Sequence, residues 1–221
     1  MNAAAYVPSI TPVSEAVQAL DTRLPHNRYS IEVMGEVLEI DSPLAGRHQL
    51  RNVALAIGAA VELKQEFGYQ ILPSNIAAGV AQTTWPGRFQ VIPGTPNVVL
   101  DVAHNPAGAW ALRSTLSAGY EGKPLTIIFG VMRDKDIVQI AEILFPLAEE
   151  VIATRVNSPR AASPNEIREL TIHVGTEITP SADLIEAIGV ARQRGRPIVI
   201  TGSVYLVGAA LELLTCEDSE S

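Results

Sequence analysis

Three polar turns, each directly after an apolar segment, carry most of the side chains in this sequence that could do chemistry. In the first turn, apolar residues 98–100 lead into Asp101, His104 and Asn105, and Pro106 follows. A carboxylate, an imidazole and an amide beside free backbone N–H groups can bind an anion and carry a proton. The alternative is that Asp101 or Asn105 only caps a helix that begins at Pro106. The residue types alone leave both interpretations open.

The second turn has the sequence FGVMRDKD over residues 129–136, where an apolar strand ends in a charged segment. Such a loop after a buried strand can be functional, because binding and catalytic groups concentrate on loops that a rigid scaffold positions. The alternative is a solvated loop in which Asp134 or Asp136 caps the following helix.

The third turn has the sequence TGSVY over residues 201–205. Gly202 permits a close approach of the backbone, and Ser203 and Tyr205 offer hydroxyl groups to a ligand. Ser203 can instead serve only as a helix cap.

Two further segments hold candidate side chains away from these turns. Arg88 lies in the sequence WPGRF, directly after the Trp85–Pro86 break, where it could face a cleft between domains or simply the solvent. A guanidinium suits phosphate because its planar fork makes paired, charge-assisted hydrogen bonds. Gln49 and Asn52 stand three residues apart at a predicted helix start, which places both amides on one face. Two such amides can pair with the edge of a purine or remain ordinary surface groups.

The elements that must position these groups follow an α/β pattern. Apolar and polar residues roughly alternate over 29–41, with a break at Gly35, and this pattern predicts a β-hairpin. A helix is predicted from 49 to Phe67, before Gly68. A second helix is predicted over 74–82 with Ser74 as its N-cap. Beyond Gly87, short β-branched segments alternate with helical ones, which is typical of parallel βαβ units. The predicted strands are 98–102, 125–130, 151–155, 172–174 and 198–201, and the predicted helices are 106–116, 136–147, 164–170, 182–194 and 205–214.

These elements predict a Rossmann-like, mostly parallel sheet with helices on both faces, preceded by a partial α/β remnant. The boundary is placed at the Trp85–Pro86–Gly87 break, so that residues 1–86 form one part and 87–221 the other. Residues 1–27 read as a linker with one short helix over 14–20, and the last residues, 217–221, as a frayed end. Ser163, Pro164 and Glu166 form a capping box that specifies the start of one helix.

Composition excludes several function classes. The net charge of −8 and the pI near 5.0 argue against a nucleic-acid partner, since phosphate-backbone affinity comes mainly from clustered Lys and Arg. The single cysteine, Cys216, cannot form an intramolecular disulfide, and no apolar run reaches the roughly 20 residues that span a bilayer. We therefore expect a cytoplasmic protein without a membrane partner. The P-loop, zinc, Gly-x-Ser-x-Gly and G-x-G-x-x-G patterns are absent from the sequence.

Taken in order, the segments LAGRHQLRN, WPGRF, LDVAHNP, FGVMRDKD, SPRAA and TGSVYLVG resemble the second half of the folylpolyglutamate synthase and dihydrofolate synthase family, within the Mur ligase superfamily. The resemblance runs over residues 29–214. It implies that 1–86 is the end of the central ATPase domain and 87–221 the carboxyl-terminal domain. It also implies an ATP- and Mg²⁺-dependent ligase that converts a carboxylate of folate or dihydropteroate into an acyl phosphate, which L-glutamate then attacks.

The resemblance further implies roles for individual residues. Gln49 and Asn52 match positions near adenine, and Arg88 matches an arginine that reaches the ATP phosphates. Asp101 matches a carboxylate on the ribose or glutamate side of the cleft, and with Arg88 and His104 it is assigned to catalysis. His104 matches the glutamate site, together with the residues of the same motif and of the third turn, Asn105, Ser203 and Tyr205. No role follows for Lys135.

The family's first half, with its phosphate-binding loop and most of its magnesium ligands, has no counterpart in this sequence. We therefore expect no turnover by the chain alone, which would be a truncated product, a fragmentary gene model, or one half of a split enzyme whose other half carries the P-loop. Two alternatives stay open: another Mur-type ligase that joins amino acids to a cell-wall precursor, and a non-catalytic module that binds a nucleotide or a protein.

Overall fold

The computed structural model describes residues 26–217. The predicted helix over 14–20, nearly all of the predicted linker and residues 218–221 of the predicted tail lie outside the described residues. The chain divides into two compact units between Trp85 and Pro86. No described helix is both long enough and apolar enough to cross a membrane.

The first unit contains a β-hairpin and two helices. Met34 and Gly35 both have positive φ, 53° and 81°, the backbone that a two-residue hairpin turn between twisted strands requires. This confirms the predicted hairpin, and the first helix ends before Gly68, whose φ of 71° lets it cap the last turn. The elements are β1 (Asn27–Val33), β2 (Glu36–Ser42), α1 (Arg47–Phe67) and α2 (Pro73–Ala81).

The prediction that Ser74 caps the second helix is wrong. Pro73 occupies the first helical position, and Leu72 is therefore the N-cap. The Leu72 N–H donates to Asn75 Oδ1 at 2.9 Å. Proline favours the first helical position because its φ is already helical and it has no N–H to leave unsatisfied, so the N-cap lies two residues earlier than predicted.

The second unit is a six-stranded sheet in the order β3–β4–β8–β5–β6–β7, covered by helices. Strands β4 to β8 run parallel, and β3 pairs antiparallel with β4 at one edge. This confirms the predicted α/β class with a mostly parallel sheet. The strands are β3 (Gln90–Ile92), β4 (Val98–Asp101), β5 (Leu125–Phe129), β6 (Ala148–Ala153), β7 (Glu177–Pro180) and β8 (Ile198–Thr201), and the helices are α3 (Pro106–Gly119), α4 (Ile137–Leu144), α5 (Pro164–Thr171), α6 (Leu184–Gln193) and α7 (Val204–Glu217).

The helices divide between the two faces of this sheet. Helix α3 packs against α4, and α4 against α5. Helices α6 and α7 pack in a separate core with one face of β4, β5, β6 and β8. The helices that follow β4, β5 and β6 therefore lie on one face, and those that follow β7 and β8 lie on the other.

Two predictions about strands fail near the edges of the sheet. Residues Ile172–Val174 were predicted as a strand but form a 3₁₀ turn that continues α5, with Ile172 75% exposed, and the strand is Glu177–Pro180 instead. Gly175, at φ 80°, separates the two segments. The short edge strand Gln90–Ile92 had no predicted counterpart. Local β-branched composition misleads here because edge strands are defined by the neighbour they pair with.

Candidate functional site

The carboxyl ends of the parallel strands form one row across the sheet. Asp101 at the end of β4 pairs with Thr201 of β8, Thr201 pairs with Phe129 of β5, and Phe129 pairs with Ala153 of β6. The chain leaves β8 toward one face and leaves its neighbours β4 and β5 toward the other. In open α/β sheets a crevice that binds ligands opens at such reversals. All three polar turns of the sequence follow these three strands.

Asp101 directs its carboxylate at the backbone. It is 8% exposed, and its two oxygens accept hydrogen bonds from Phe89 N and Ala103 N, each at 2.9 Å. Burial raises the pKa of Asp101 to about 6, because desolvation outweighs the two backbone hydrogen bonds and the charge of Arg88, all of which lower it. Asp101 does not cap the following helix.

Asn105 is the residue that caps α3, as the capping interpretation predicts, since its Oδ1 accepts from Gly108 N at 2.8 Å. His104, between Asp101 and Asn105 in the sequence, is half-buried, and its Nδ1 lies 2.9 Å from Val102 O. A carbonyl oxygen can only accept, so Nδ1 carries the proton in this contact. In the neutral ring Nε2 is then the atom that can accept a proton.

The turn after β5 is anchored by its neighbours. Arg133 makes a bidentate contact with Glu166, at 2.9 Å for both Nε–Oε1 and Nη2–Oε2, and Glu166 also completes the predicted capping box of α5. Lys135 Nζ lies 2.9 Å from Asp134 Oδ2. Asp136 caps α4 by accepting from Gln139 N at 3.0 Å, as the capping interpretation predicts. Lys135 is therefore held on a rigid turn at the strand end.

The turn after β8 requires glycine. Gly202 has φ 107°, and a Cβ there would lie 2.6 Å from Gly130 O and 2.8 Å from the Phe129 ring. The next residue, Ser203, is buried, and its hydroxyl accepts from Tyr205 N at 3.2 Å, so it also helps to start α7. The Tyr205 side chain is 63% exposed.

These turns and the loop after β6 line a cavity of about 190 Å³ in the second unit, which is open to solvent. That volume is below the roughly 300–1,000 Å³ of pockets for drug-sized molecules and suits a ligand the size of an amino acid. Lys135 and Arg160 supply cationic groups, and Asp134, which pairs with Lys135, supplies a carboxylate. His104 supplies an imidazole, and Ser203 and Tyr205 come from the third turn. The lining residues are His104, Met132, Asp134, Lys135, Arg160, Gly202, Ser203, Val204 and Tyr205.

Arg160 is the lining residue to which the sequence assigned no chemistry. It belongs to the segment SPRAA, and its backbone oxygen accepts from Arg133 N at 2.9 Å, next to a bridge between Met132 and Ala161. These contacts bring the loop after β6 beside the turn after β5. Parallel neighbours could have suggested this placement, because their carboxyl ends share one edge of the sheet.

Arg88 is exposed in a tightly fixed turn of the same unit. Gly87 O accepts from Val102 N at 2.9 Å, and Phe89 N donates to Asp101. Gln49 and Asn52 belong to the first unit, where Asn52 Nδ2 donates to Gln49 Oε1 at 2.9 Å, so the predicted shared face is present. Gln49 is 5% exposed.

Comparison with known proteins points to one family. A model described as Mur ligase, glutamate ligase domain, matches residues 87–204. The chain is 33% identical to folylpolyglutamate synthase of Lacticaseibacillus casei over 180 residues, 81% of this chain and 41% of that protein. It is 33% identical to dihydrofolate synthase/folylpolyglutamate synthase of Mycobacterium tuberculosis over 219 residues, 84% of this chain and 44% of that protein.

Solved structures agree with this similarity. The structure of Mycobacterium tuberculosis folylpolyglutamate synthase complexed with ADP and AMPPCP superposes with a TM-score of 0.72 at 34% identity, covering 80% of this chain and 42% of that one. The structure of folylpolyglutamate synthase from Thermotoga maritima gives 0.71 at 30% identity, covering 86% and 44%. These findings confirm the resemblance drawn from the six motifs. The chain spans less than half the length of these relatives.

Proposed function

The chain belongs to the Mur ligase family through a glutamate ligase domain at residues 87–204, and we propose that it is the carboxyl-terminal part of an ATP-dependent ligase that adds L-glutamate to folate or dihydropteroate. The observation that carries this proposal is the cavity at the ends of β4, β5 and β8, whose lining includes Lys135, Arg160 and His104. Its size and its cationic groups suit a small anionic amino acid. The relatives' names supply the acceptor, folate or dihydrofolate, which this chain does not itself identify.

The cavity would hold L-glutamate through complementary charge and a proton acceptor. Lys135 and Arg160 would make charge-assisted hydrogen bonds with the carboxylates of L-glutamate. His104 Nε2 can take a proton from the incoming ammonium, because Nδ1 is committed to Val102 O. Ser203 and Tyr205 supply hydroxyls from the opposite turn, and Asn105 holds the start of α3 beside His104. The His104 ring is thus already oriented to accept a proton when the amine of L-glutamate enters.

ATP is the second substrate for which this chain supplies groups. Arg88 would meet the phosphates, where a guanidinium stabilises the charge that develops as the acyl phosphate forms. The paired amides of Gln49 and Asn52 would lie on the adenine side. ATP is also consistent with relatives that were solved with ADP.

The phosphate-binding loop and the Mg²⁺ ligands would come from outside these 221 residues. The sequence has no P-loop pattern. Within residues 26–217, no group of three or more His, Cys, Asp and Glu side chains could hold a metal ion. We therefore propose that the chain works with a P-loop portion, which belongs either to a longer form of the same polypeptide or to a separate one.

L-glutamate binding tests the cavity directly. Isothermal titration of the chain with L-glutamate should show binding that Lys135→Ala weakens at least about tenfold, since a hydrogen bond to a charged group contributes about 1.5–3 kcal/mol. Lys123→Ala is the matched control, because Lys123 lies before β5 at the other end of the strand. Equal affinities for both variants would contradict a glutamate cavity.

Ligation is tested by adding the amino-terminal portion of a similar synthase to the chain. We expect ADP release that needs both L-glutamate and dihydropteroate or folate, and none from the chain alone. ADP release with another amino acid and a cell-wall precursor would favour the other Mur-type reaction. Nucleotide binding without ADP release would favour a non-catalytic module.

A further inference from the structure

The Asp101 carboxylate joins two segments that the proposed function places in the active site. One oxygen accepts from Phe89 N, twelve residues earlier, and the other accepts from Ala103 N, two residues later. The first bond fixes the turn that carries Arg88. The second fixes the turn that carries His104. Asp101 itself does not line the cavity described above.

The turn around Arg88 is one that isolated chains rarely adopt. Gly87 has φ 71° and Phe89, which is not glycine, has φ 47°. A positive φ at such a residue persists only where the surroundings hold it. Here the surroundings are the two hydrogen bonds that flank Arg88, Val102 N to Gly87 O and Phe89 N to Asp101, each 2.9 Å long.

The turn around His104 depends on the same short stretch of β4. Val102, whose N–H holds Gly87, has a carbonyl that contacts His104 Nδ1 at 2.9 Å. Ala103, between them, is held by Asp101. The guanidinium turn and the imidazole turn are therefore tied to the same three residues, Asp101 to Ala103.

We infer that Asp101 is a positioning residue, which fixes Arg88 and His104 relative to each other through the backbone, and that it does so without contacting ATP or L-glutamate. This inference rests on the proposed function for the roles of Arg88 and His104 in ligation. The hydrogen bonds from Phe89 N and Ala103 N to Asp101 do not depend on that function. It differs from the ribose or glutamate contact that the family resemblance implies for Asp101.

The two backbone hydrogen bonds explain why a carboxylate suits this role. Both oxygens are needed as acceptors, and an ionised carboxylate is the short side chain that accepts at two oxygens at once. Asparagine keeps only one acceptor. Protonation has a similar effect, since one oxygen then carries a proton, and the charge of Arg88 opposes protonation.

Amide NMR on the 221-residue chain tests the inference. In the wild type, the Phe89 and Ala103 amide signals should titrate together with the Asp101 carboxyl, with one shared midpoint. Asp101→Asn should abolish this titration, speed hydrogen exchange at one or both amides by about tenfold, and shift the signals of both Arg88 and His104. Asp183→Asn is the matched control, because Asp183 also accepts from a backbone N–H, that of Glu186, at the start of α6.

Binding measurements add a readout that a purely structural role would not move. When His104 is present, Asp101→Asn should raise the Kd for L-glutamate about fivefold. In a His104→Ala background the same change should raise it less than about twofold, because the effect of Asp101 passes through His104. Equal losses in both backgrounds would show that Asp101 acts on glutamate directly and would overturn the inference.

Two NMR results would also overturn it: unshifted Arg88 and His104 signals in Asp101→Asn, or a shift at only one of them. If the wild type binds no L-glutamate, the proposed function fails, and the NMR signals alone decide on Asp101. A shared titration in that case still supports the positioning role.

Discussion

Substitution of Gly202 tests how closely the carboxyl ends of β5 and β8 are packed. Replacing it with alanine places a Cβ 2.6 Å from Gly130 O and 2.8 Å from the Phe129 ring, at a φ of 107° that alanine rarely adopts. A non-glycine residue in such a region costs about 1–3 kcal/mol, and overpacking a core adds about 1–3 kcal/mol. Both neighbours are fixed, one as backbone and one as a fully buried ring, so neither term relaxes easily. We expect Gly202→Ala to lower the free energy of unfolding by about 4 kcal/mol.

Gly208→Ala is the matched control. Gly208 lies inside α7, six residues along the chain, and nothing lies within 4 Å of a Cβ added there. Alanine in a helix interior should stabilise by about 0.5–1 kcal/mol because it restricts the unfolded chain. The two variants make the same chemical change in one unit with opposite predicted signs.

Urea unfolding measures both effects. Trp110 in α3 reports on the second unit, so the fluorescence of the variants is followed in a Trp85→Phe background. With an m-value of about 2 kcal/mol/M, Gly202→Ala should lower the midpoint by about 2 M. A loss of less than about 1 kcal/mol, or equal values for the two variants, would refute the packing argument and with it the close approach of β5 and β8.

Three further predictions concern other parts of the molecule. Glu150→Ala should cost about 2–3 kcal/mol in urea unfolding, because the 3%-exposed carboxylate accepts from Arg194 Nε and Nη2 at 2.7 and 3.0 Å; an unchanged midpoint would make this pair a surface contact. Because burial raises the pKa of Asp101 to about 6, the folded state binds its proton more tightly than the unfolded state, and the stability this contributes is full below pH 4 and lost as pH rises through 6. Relative to Asp101→Asn, the wild type should thus lose about 2–3 kcal/mol between pH 4 and pH 7 in melts at each pH, and a flat difference would contradict the raised pKa. Leu55 is 58% exposed on α1, so Leu55→Lys should reduce binding of an apolar dye while the free energy of unfolding changes by less than about 0.5 kcal/mol; unchanged dye binding would show that the dye does not bind at Leu55.

Local signals in the sequence predicted most of the fold. The hairpin follows from Gly35, and the start of α5 follows from the Ser163 capping box, because turn and cap chemistry acts over a few neighbouring residues. The predicted strand over 172–174 was wrong because a short segment with two β-branched residues, Ile172 and Val174, forms a strand only if a neighbouring strand is there to pair with it. Pairing belongs to the sheet and not to the segment.

The candidate site was likewise predicted from the sequence only in part. The sequence identified the turns that line the cavity, since polar residues after apolar strands meet at one edge of a parallel sheet. It did not predict that Asp101 would accept from Phe89 N, because that bond depends on two positive-φ residues packed against β4. The sequence assigned no chemistry to Arg160, although its position after β6, a parallel neighbour of β5, could have suggested its place at the cavity.

The position of β8 has a consequence for synthesis of the protein. It is the last strand along the described chain, yet it lies between β4 and β5, which begin about 100 and 73 residues before it. Until β8 is made, β4 and β5 have no partner on the sides they turn toward each other, and across that gap they are two strand spacings, about 9–10 Å, apart. Unpaired inner edges of this kind are prone to pair with other chains. A nascent second unit therefore cannot close its sheet before residues Ile198–Thr201 emerge, and a ribosome that stalls shortly before them leaves a product with two open edges.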